Sequence, residues 1–292
     1  MPLSHGRLRA PSAVTARSVA GLAGAAVLTA VLAACSSQQS PRGESAATTA
    51  ASVSFDAPLT HLHGLHHAAA GRLLAGTHHG LFSIDPATGA TSRVGDSDDD
   101  FMGLAGASGT DNLVSSGHPG PSSDAANPLG LRASSDGGRT WATRSLSGQT
   151  DFHVLATDGS ALIGSDGHGV QLSGDGGTTW TPGAAVPVAA LTITPSGVWA
   201  VTPDGVSRST DGGRSFTALS AAPPLVLISG SSRGVWGVDI AGYAWFSPDG
   251  PTWVKDDYVG SVEALTSAPD GTGYAASSST VYTLDRSDPN QG

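Results

Sequence analysis

Cysteine is almost absent from this chain of 292 residues: Cys35 is the only one, so no intrachain disulfide braces the fold. Glutamate is nearly as scarce. Glu44 and Glu263 are the only two, so any paired-carboxylate chemistry has to recruit aspartates. Basic residues are outnumbered by acids, 14 to 24, for a net charge of −10, and a surface of that sign repels nucleic acid and anionic lipid. Long apolar runs are missing apart from one near the N-terminus, and that one is too short, and too soon followed by a polar segment, for a good membrane span.

The run covers residues 19–34 and follows Arg7, Arg9 and Arg17, the basic and hydrophobic regions of an export signal. It ends in Leu32-Ala33-Ala34-Cys35, which resembles a bacterial lipobox. That resemblance implies cleavage before Cys35 and acylation of its thiol, giving a lipid-anchored protein on the extracytoplasmic face of the membrane. Residues 36–51 are Ser, Ala, Thr, Gln, Pro and Gly with little to bury, and read as a flexible tether. Loss of residues 1–35 removes three arginines and no acids, leaving 11 basic against 24 acidic groups, or −13. Membrane contact then rests on acyl chains alone. The body is expected over 52–288, with 289–292 a C-terminal tail.

What the body has in plenty is glycine, 40 residues of it, and one phrase in repeated copies. Ser134-Ser-Asp136-Gly-Gly138-Arg-Thr140-Trp141 returns as Ser173-Gly-Asp175-Gly-Gly177-Thr-Thr179-Trp180 and as Ser209-Thr-Asp211-Gly-Gly213-Arg-Ser215-Phe216. A shortened copy reads Ser247-Pro-Asp249-Gly250-Pro-Thr252-Trp253. The aromatic ends lie 39, 36 and 37 residues apart, a period that marks an array of units unable to bury an apolar face alone. The phrase resembles the Asp-box, or bacterial neuraminidase repeat, of the sialidase superfamily. The resemblance implies a β-propeller with the box on the hairpin between the third and fourth strands of a blade, a structural element away from the active face.

The period places units near 61–97, 98–150, 151–186, 187–222, 223–260 and 261–288, each read as four antiparallel strands. The last unit lacks an outer strand, and the alternating segment Val53-Ser-Phe55 has the length to supply it. The expected fold is therefore all-β, a single six-bladed propeller closed by the N-terminal strand. Seven blades is the alternative if the long second unit hides another. That unit is long because residues 119–130, with three prolines, are inserted as a loop that is either ornament or the cover of a site.

Histidine is distributed unevenly. Apart from His5, all nine fall between 61 and 168: His61, His63, His66, His67, His78, His79, His118, His153 and His168. In a propeller the inner strands begin on the same face as the turns between second and third strands, so His61, His63, His78, His79, His118, His153 and His168 are expected to converge on one channel mouth. Aligning inner strands on Leu65, Leu104, Leu155, Leu191, Leu227 and Leu265 puts His63, Met102, His153, Ala189, Leu225 and Glu263 in one column. Two residues earlier stand His61, Asp100 and Asp151. Imidazole, thioether and carboxylate on adjacent strands suit a transition metal, with a Met beside His favouring copper. The competing reading is a set of polar channel residues bonded to water and backbone. Asp96-Ser-Asp98-Asp99-Asp100 lacks the Gly and closing Glu of a calcium loop and reads as a solvated turn.

Sialidases clamp a carboxylate with three arginines and use a Tyr–Glu pair with a separate Asp acid, and no such arginine set opens the inner strands here. A glycosidase of another kind would draw on Glu263 with Asp100 or Asp151. His61-Leu-His63-Gly-Leu65, Thr77-His-His-Gly-Leu-Phe82, Asp100-Phe-Met102-Gly103, Ser116-Gly-His118-Pro119, Asn127-Pro-Leu-Gly-Leu131 and Asp151-Phe-His153 are similar to recurrent phrases of bacterial lipoprotein propellers called glycosylhydrolase-like. The sequence thus points first to a lipid-anchored, monomeric propeller with a His-rich, metal-binding face. A glycoside hydrolase acting on surface glycans stands second, and a protein-assembly platform third.

Overall fold

In the computed structural model, which describes residues 48–286, these residues form six four-stranded antiparallel sheets. The sheets cover residues 62–94, 100–145, 154–182, 190–218, 225–258 and 264–284, here blades 1 to 6, with Ala51–Ser54 as the outer strand of blade 6. That strand pairs antiparallel with Thr280–Leu284, Ala51 opposite Thr283 and Val53 opposite Val281. Each inner strand touches the next, and Ala264–Ser267 of blade 6 touches Leu62–His67 of blade 1. The ring is closed with six blades; the long second unit is a single blade whose extra length is the insert at 119–130. Ordered pairing begins slightly before the strand: Thr48 and Ala50 bond through their backbones to Tyr258 of blade 5, and Ala50 is buried. The last part of the expected tether is therefore held against the disc. The export signal, Cys35 and the C-terminal tail lie outside the described residues. Among the described residues no helix is long and apolar enough to cross a membrane.

Six apolar clusters hold the ring, and each is a seam between two blades. Leu81, Phe101 and Leu113 join blades 1 and 2; Leu131, Phe152 and Leu162 join 2 and 3; Ile163, Val170 and Val198 join 3 and 4. Trp199, Val206 and Val235 join blades 4 and 5, Trp236 and Leu284 join 5 and 6, and Leu62, Ile84 and Val281 join 6 and 1. Strands with buried residues on both faces can satisfy this packing only if a neighbouring sheet lies on each side, which is why the array closes. Trp199 and Trp236, each 1% exposed, fill the space between blades.

The repeated phrase forms the turn between third and fourth strands. Asp136 Oδ1 accepts the Thr140 amide at 3.0 Å and the Ser134 hydroxyl at 2.8 Å, and its Oδ2 accepts the Thr140 hydroxyl at 2.7 Å. Asp175 and Asp211 make the same three bonds. These bonds, led by the hydroxyls of Thr140 and Thr179, hold the carboxyls of Asp136 and Asp175 down at about 2. Asp249, in the shortened copy, keeps only the Thr252 amide, at 3.1 Å. The second glycine of the phrase is required twice over. Gly177 has φ +85°, and a Cβ there would lie 2.0 Å from Leu131 Cδ2 of the preceding blade. The terminal aromatics reach the seams: Trp141 meets Phe101 at 5.4 Å between ring centres, Trp180 meets Phe152 at 4.7 Å, Trp253 meets Trp199 at 6.3 Å, and Phe216 packs on the cluster of blades 3 and 4.

Candidate metal centre at the channel mouth

Leu65, Leu104, Leu155, Leu191, Leu227 and Leu265 all line the central channel, so the column that aligns the units also marks its wall. The cavity they enclose is about 170 Å³, and His63, His153, Ala189 and Glu263 lie on its lining. Met102 does not. Inner-strand register shifts between Leu62 and Gly64 in blade 1 and between Asp100 and Gly103 in blade 2. A bulge adds a residue and re-aims the side chains around it, which breaks the period-two alternation on which the column depends. The cluster at the mouth joins imidazoles to a carboxylate.

That cluster is His63, His78 and Asp100. His63 sits on the bulge of its inner strand, His78 in the turn between Leu73–Thr77 and Gly80–Ile84, and Asp100 at the start of the inner strand of blade 2. The Thr77 hydroxyl donates to the Gly80 carbonyl and accepts the His79 amide, fixing the turn that presents His78. His78 Nδ1 is 2.9 Å from Asp100 Oδ2, His63 Nε2 is 3.3 Å from Asp100 Oδ1, and the two ring nitrogens are 3.2 Å apart. Protons alone satisfy at most two of these three contacts, because a hydrogen between the rings requires one nitrogen to present a bare lone pair. One cation satisfies all three. With metal–ligand bonds of about 2.1 Å, neighbouring ligand atoms lie about 3.0 Å apart in an octahedron and about 3.4 Å apart in a tetrahedron. The observed contacts of 2.9, 3.2 and 3.3 Å are close to these spacings, with the two imidazoles facing different oxygens of Asp100.

Burial is the largest influence on His63 and pushes its pKa down. Asp100 pulls the other way, while His78, His61 and His153 add to the depression. The ring is thus kept neutral, the form that binds metal. The Asp100 carboxylate carries a further sign of incomplete pairing, since Oδ1 is buried without a hydrogen bond.

The other expected site residues fall into distinct groups. His61 meets His63 edge-on at 4.9 Å and stacks on His78 at 5.5 Å between ring centres. Its Nδ1 is 3.2 Å from Glu263 Oε2, which also accepts the buried Leu62 amide at 2.7 Å. Glu263 thereby ties blade 6 to blade 1. In the next blades, Asp151 Oδ2 receives both His153 Nε2, at 2.8 Å, and His118 Nε2, at 3.2 Å. His79 and His168 do not join. His168 is 91% exposed and reaches only its neighbour Asp166, because its turn faces outward into solvent. His66 is buried and bonds the Thr110 carbonyl at 2.8 Å, and His67 stacks on Tyr274.

Three residues near the mouth escaped the sequence reading. Asp99 is not part of a solvated turn: it is buried, 2.5 Å from Arg132 Nη1, and accepts the Ser97 hydroxyl and the Gly120 amide. Burial works against its charged form, but those bonds outweigh it and hold its carboxyl below the ordinary range. Arg132 lies over the rings of Phe101 and Trp141. Asn127, in the insert, accepts at Oδ1 from His118 Nδ1 at 2.7 Å. The acidic run at 96–100 and the phrase Asn127-Pro-Leu-Gly-Leu131 were the signals that touched them, and neither gave these contacts.

No protein-family model matches the chain, and no curated protein matches it by sequence. Solved structures share the fold. A YCF48 protein solved with a D1 peptide bound superposes with a TM-score of 0.56 at 15% identity, over 82% of this chain and 98% of that one. The GH74 enzyme of Niastella koreensis gives 0.54 at 15% identity over 79% of this chain, which spans about half, 53%, of the enzyme. A streptogramin B lyase gives 0.51 at 13% identity, over 80% and 96%. At these identities the likeness is one of architecture, the β-propeller.

Proposed function

We propose that this protein is a lipid-anchored extracytoplasmic propeller that binds a divalent transition metal at its channel mouth through His63 Nε2, His78 Nδ1 and a carboxylate oxygen of Asp100. The observation that carries this reading is the approach of the two ring nitrogens to each other, at 3.2 Å, and of each to one oxygen of the same carboxylate, His78 Nδ1 to Asp100 Oδ2 at 2.9 Å and His63 Nε2 to Asp100 Oδ1 at 3.3 Å. Two imidazoles and one carboxylate leave several coordination positions open toward solvent, where His78 is 44% exposed. The donor set is nitrogen and oxygen, so the preference for copper rests on the general affinity order of first-row ions, not on a sulfur ligand. Zinc is the competing ion. Cys35 supplies the anchor in this reading, and the residues between it and Thr48 supply the reach.

The test uses the full chain purified in detergent, stripped of metal, loaded with Cu(II) or Zn(II), desalted and measured by mass spectrometry. The doubly substituted His63→Ala, His78→Ala protein is expected to retain one equivalent less than the wild type. Equal retention by the two proteins, or none by either, refutes the site. Cys35→Ala is expected to release the protein from the membrane fraction.

A further inference from the structure

We propose that the mouth face docks on a neutral lipid surface through an apolar patch on blade 5, which turns the His-rich mouth toward the membrane. The inference rests on the lipid-anchor reading for its partner and on a separate set of residues for its surface.

Apolar exposure is confined to one blade. The large apolar side chains exposed among the described residues are Val226, Ile240, Val254 and Tyr258, and blade 5 holds them all. Three of them share the mouth face. Ile240 is in the turn between Gly234–Asp239 and Tyr243–Ser247, the counterpart of the turn that carries His78, and Val226 stands where the inner strand of the blade begins. Tyr258 joins both along a groove of about 310 Å³ that Val262 also lines. The same turn is polar elsewhere: blade 4 has Asp204 in it and blade 6 has Ser278.

Ile240 is 84% exposed, and its turn is braced in a way that keeps it so. Asp239 Oδ1 accepts the amides of Ala241 and Tyr243 at 2.9 and 3.0 Å, and Oδ2 accepts the Trp245 indole at 2.8 Å. Gly242, at φ +84°, donates to the Asp239 carbonyl at 3.0 Å. The carboxylate is buried and spent on the turn, so the only acid lining the groove presents no free charge to a partner. An apolar side chain held outward on a fixed turn gives up little entropy when it enters an apolar medium.

The occupant follows from where the chain joins the disc. Tyr258 donates its amide to the Thr48 carbonyl at 2.9 Å, and Ala50 donates to the Tyr258 carbonyl at 3.2 Å, so the N-terminal segment arrives beside the patch. Thr48 is thirteen residues after Cys35, a separation of at most about 45 Å. A folded body of roughly 240 residues is about as wide. An anchor at Cys35 thus brings the mouth-side edge of blade 5 to the bilayer first, and the opposite face reaches it only with the segment fully drawn out.

The neighbouring side chains suit headgroups. Tyr258 meets Tyr243 at 5.2 Å between ring centres, and the amine of Lys255, the only lysine of the chain, lies 3.3 Å over the Tyr243 ring. Tyrosine and lysine settle where acyl chains meet headgroups. The net charge of −10 opposes anionic lipid, which selects a neutral surface. A second copy fits the patch less well, because a stable dimer engages roughly 20–30 residues a side. A tethered patch needs no such area, since the anchor holds it at high local concentration.

The experiment places the full chain, purified from membranes in detergent, in phosphatidylcholine vesicles with brominated or plain acyl chains and reads tryptophan emission against wild type. Ile240→Trp is expected to add emission that is blue-shifted and quenched by the brominated chains. Ser232→Trp, in the turn between Leu225–Ser231 and Gly234–Asp239 on the opposite face, should add emission that the bromines leave unchanged. Equal quenching at both positions, or at neither, overturns the docking surface. Emission of Ile240→Trp that is blue-shifted but unquenched, in protein that sediments as a dimer, assigns the patch to a second copy and also overturns it. Failure of the anchor reads differently, as protein recovered outside the membrane fraction with a free Cys35 thiol. Coupling that thiol, the only one in the chain, to a maleimide lipid in the same vesicles then repeats the comparison. Quenching at Ile240→Trp alone upholds the surface without the native anchor, and no quenching refutes both. Circular dichroism of each variant shows that the ring has folded.

Discussion

Blades 1 to 3 and blades 4 to 6 have the same strand order and the same kind of apolar seam, yet opposite chemistry at the mouth. In the first half the positions that open inner strands hold His61, His63, Asp100, Asp151 and His153, the turn after the second strand of blade 1 holds His78, and the second strand of blade 2 ends on His118. In the second half no histidine occurs at all, and the corresponding positions include Ala189 and Leu225, with Ile240 exposed in a turn on the same face. Polar atoms without partners follow the same division. His67, Asp100, Arg132 and Asp151 have them in the first half, while among the described residues of the second half only the Trp253 indole nitrogen is without a partner. The difference teaches that the scaffold tolerates unsatisfied groups on one side because every seam around the ring is filled with apolar side chains. Fold and site are separable here, and the following changes test how far.

The largest expected effect sets one half against the other. Trp199→Ala, in the seam of blades 4 and 5, should cost about 3–5 kcal/mol in a urea melt and leave metal equivalents unchanged. Asp99→Ala should cost a comparable amount, about 3–5 kcal/mol, because it strands the buried Arg132 charge. Unlike Trp199→Ala, it should also loosen the insert, since the Gly120 anchor is lost with it, and limited proteolysis within 119–130 would measure this. If both variants alter metal binding equally, the division between fold and site fails.

A middle-sized effect is expected where the halves meet. Glu263→Ala leaves the buried Leu62 amide without an acceptor and should destabilise by about 1–3 kcal/mol, measured by the same melt. Glu263→Gln keeps an amide oxygen for Leu62 and should recover most of it. A fluorogenic glycoside panel should show no turnover dependent on this residue, because its oxygen is committed to holding the ring closed.

The smallest effect is pH dependence, and it too differs between regions. Burial lowers the pKa values of His63, His66 and His67, all in blade 1, so the unfolded chain binds more protons than the folded one below pH 6.5. Their contribution is fully present above pH 6.5 and is lost as pH falls through the depressed folded values. Thermal melts of metal-free protein should therefore decline on mild acidification, and His63→Gln should flatten that decline. The turn aspartates act later. Asp136 and Asp175, held at about 2, contribute in full above their ordinary value of 3.8 and lose it as pH falls toward 2. Asp175→Asn should flatten only that acid limb.

Ring closure, the leucine column and the N-terminal closing strand were legible because each rests on a repeated local pattern: an aromatic every 36–39 residues, one leucine per inner strand, one alternating segment opposite a vacancy. His63, His78 and Asp100 followed from that frame. The bulge beside Met102 did not, since bulges leave no mark in a pattern of residue types. His168 occupied the right turn but an exposed one. Asp99 with Arg132, and His118 with Asn127, depend on a loop path and on contacts across a blade, where sequence spacing carries no geometric constraint.

The strand Ala51–Ser54 is hydrogen-bonded to Thr280–Leu284, so the earliest strand among the described residues waits for the last of them to be synthesised. During that interval the outermost backbone of blade 6 is an open template, and so is the emerged N-terminal segment. A chain that stops short by as little as the final strand has no way to hide either, and a product of that kind is a substrate for proteolysis or for pairing with another copy. Completion of synthesis is thus built into the architecture as the event that renders the protein inert to its own kind.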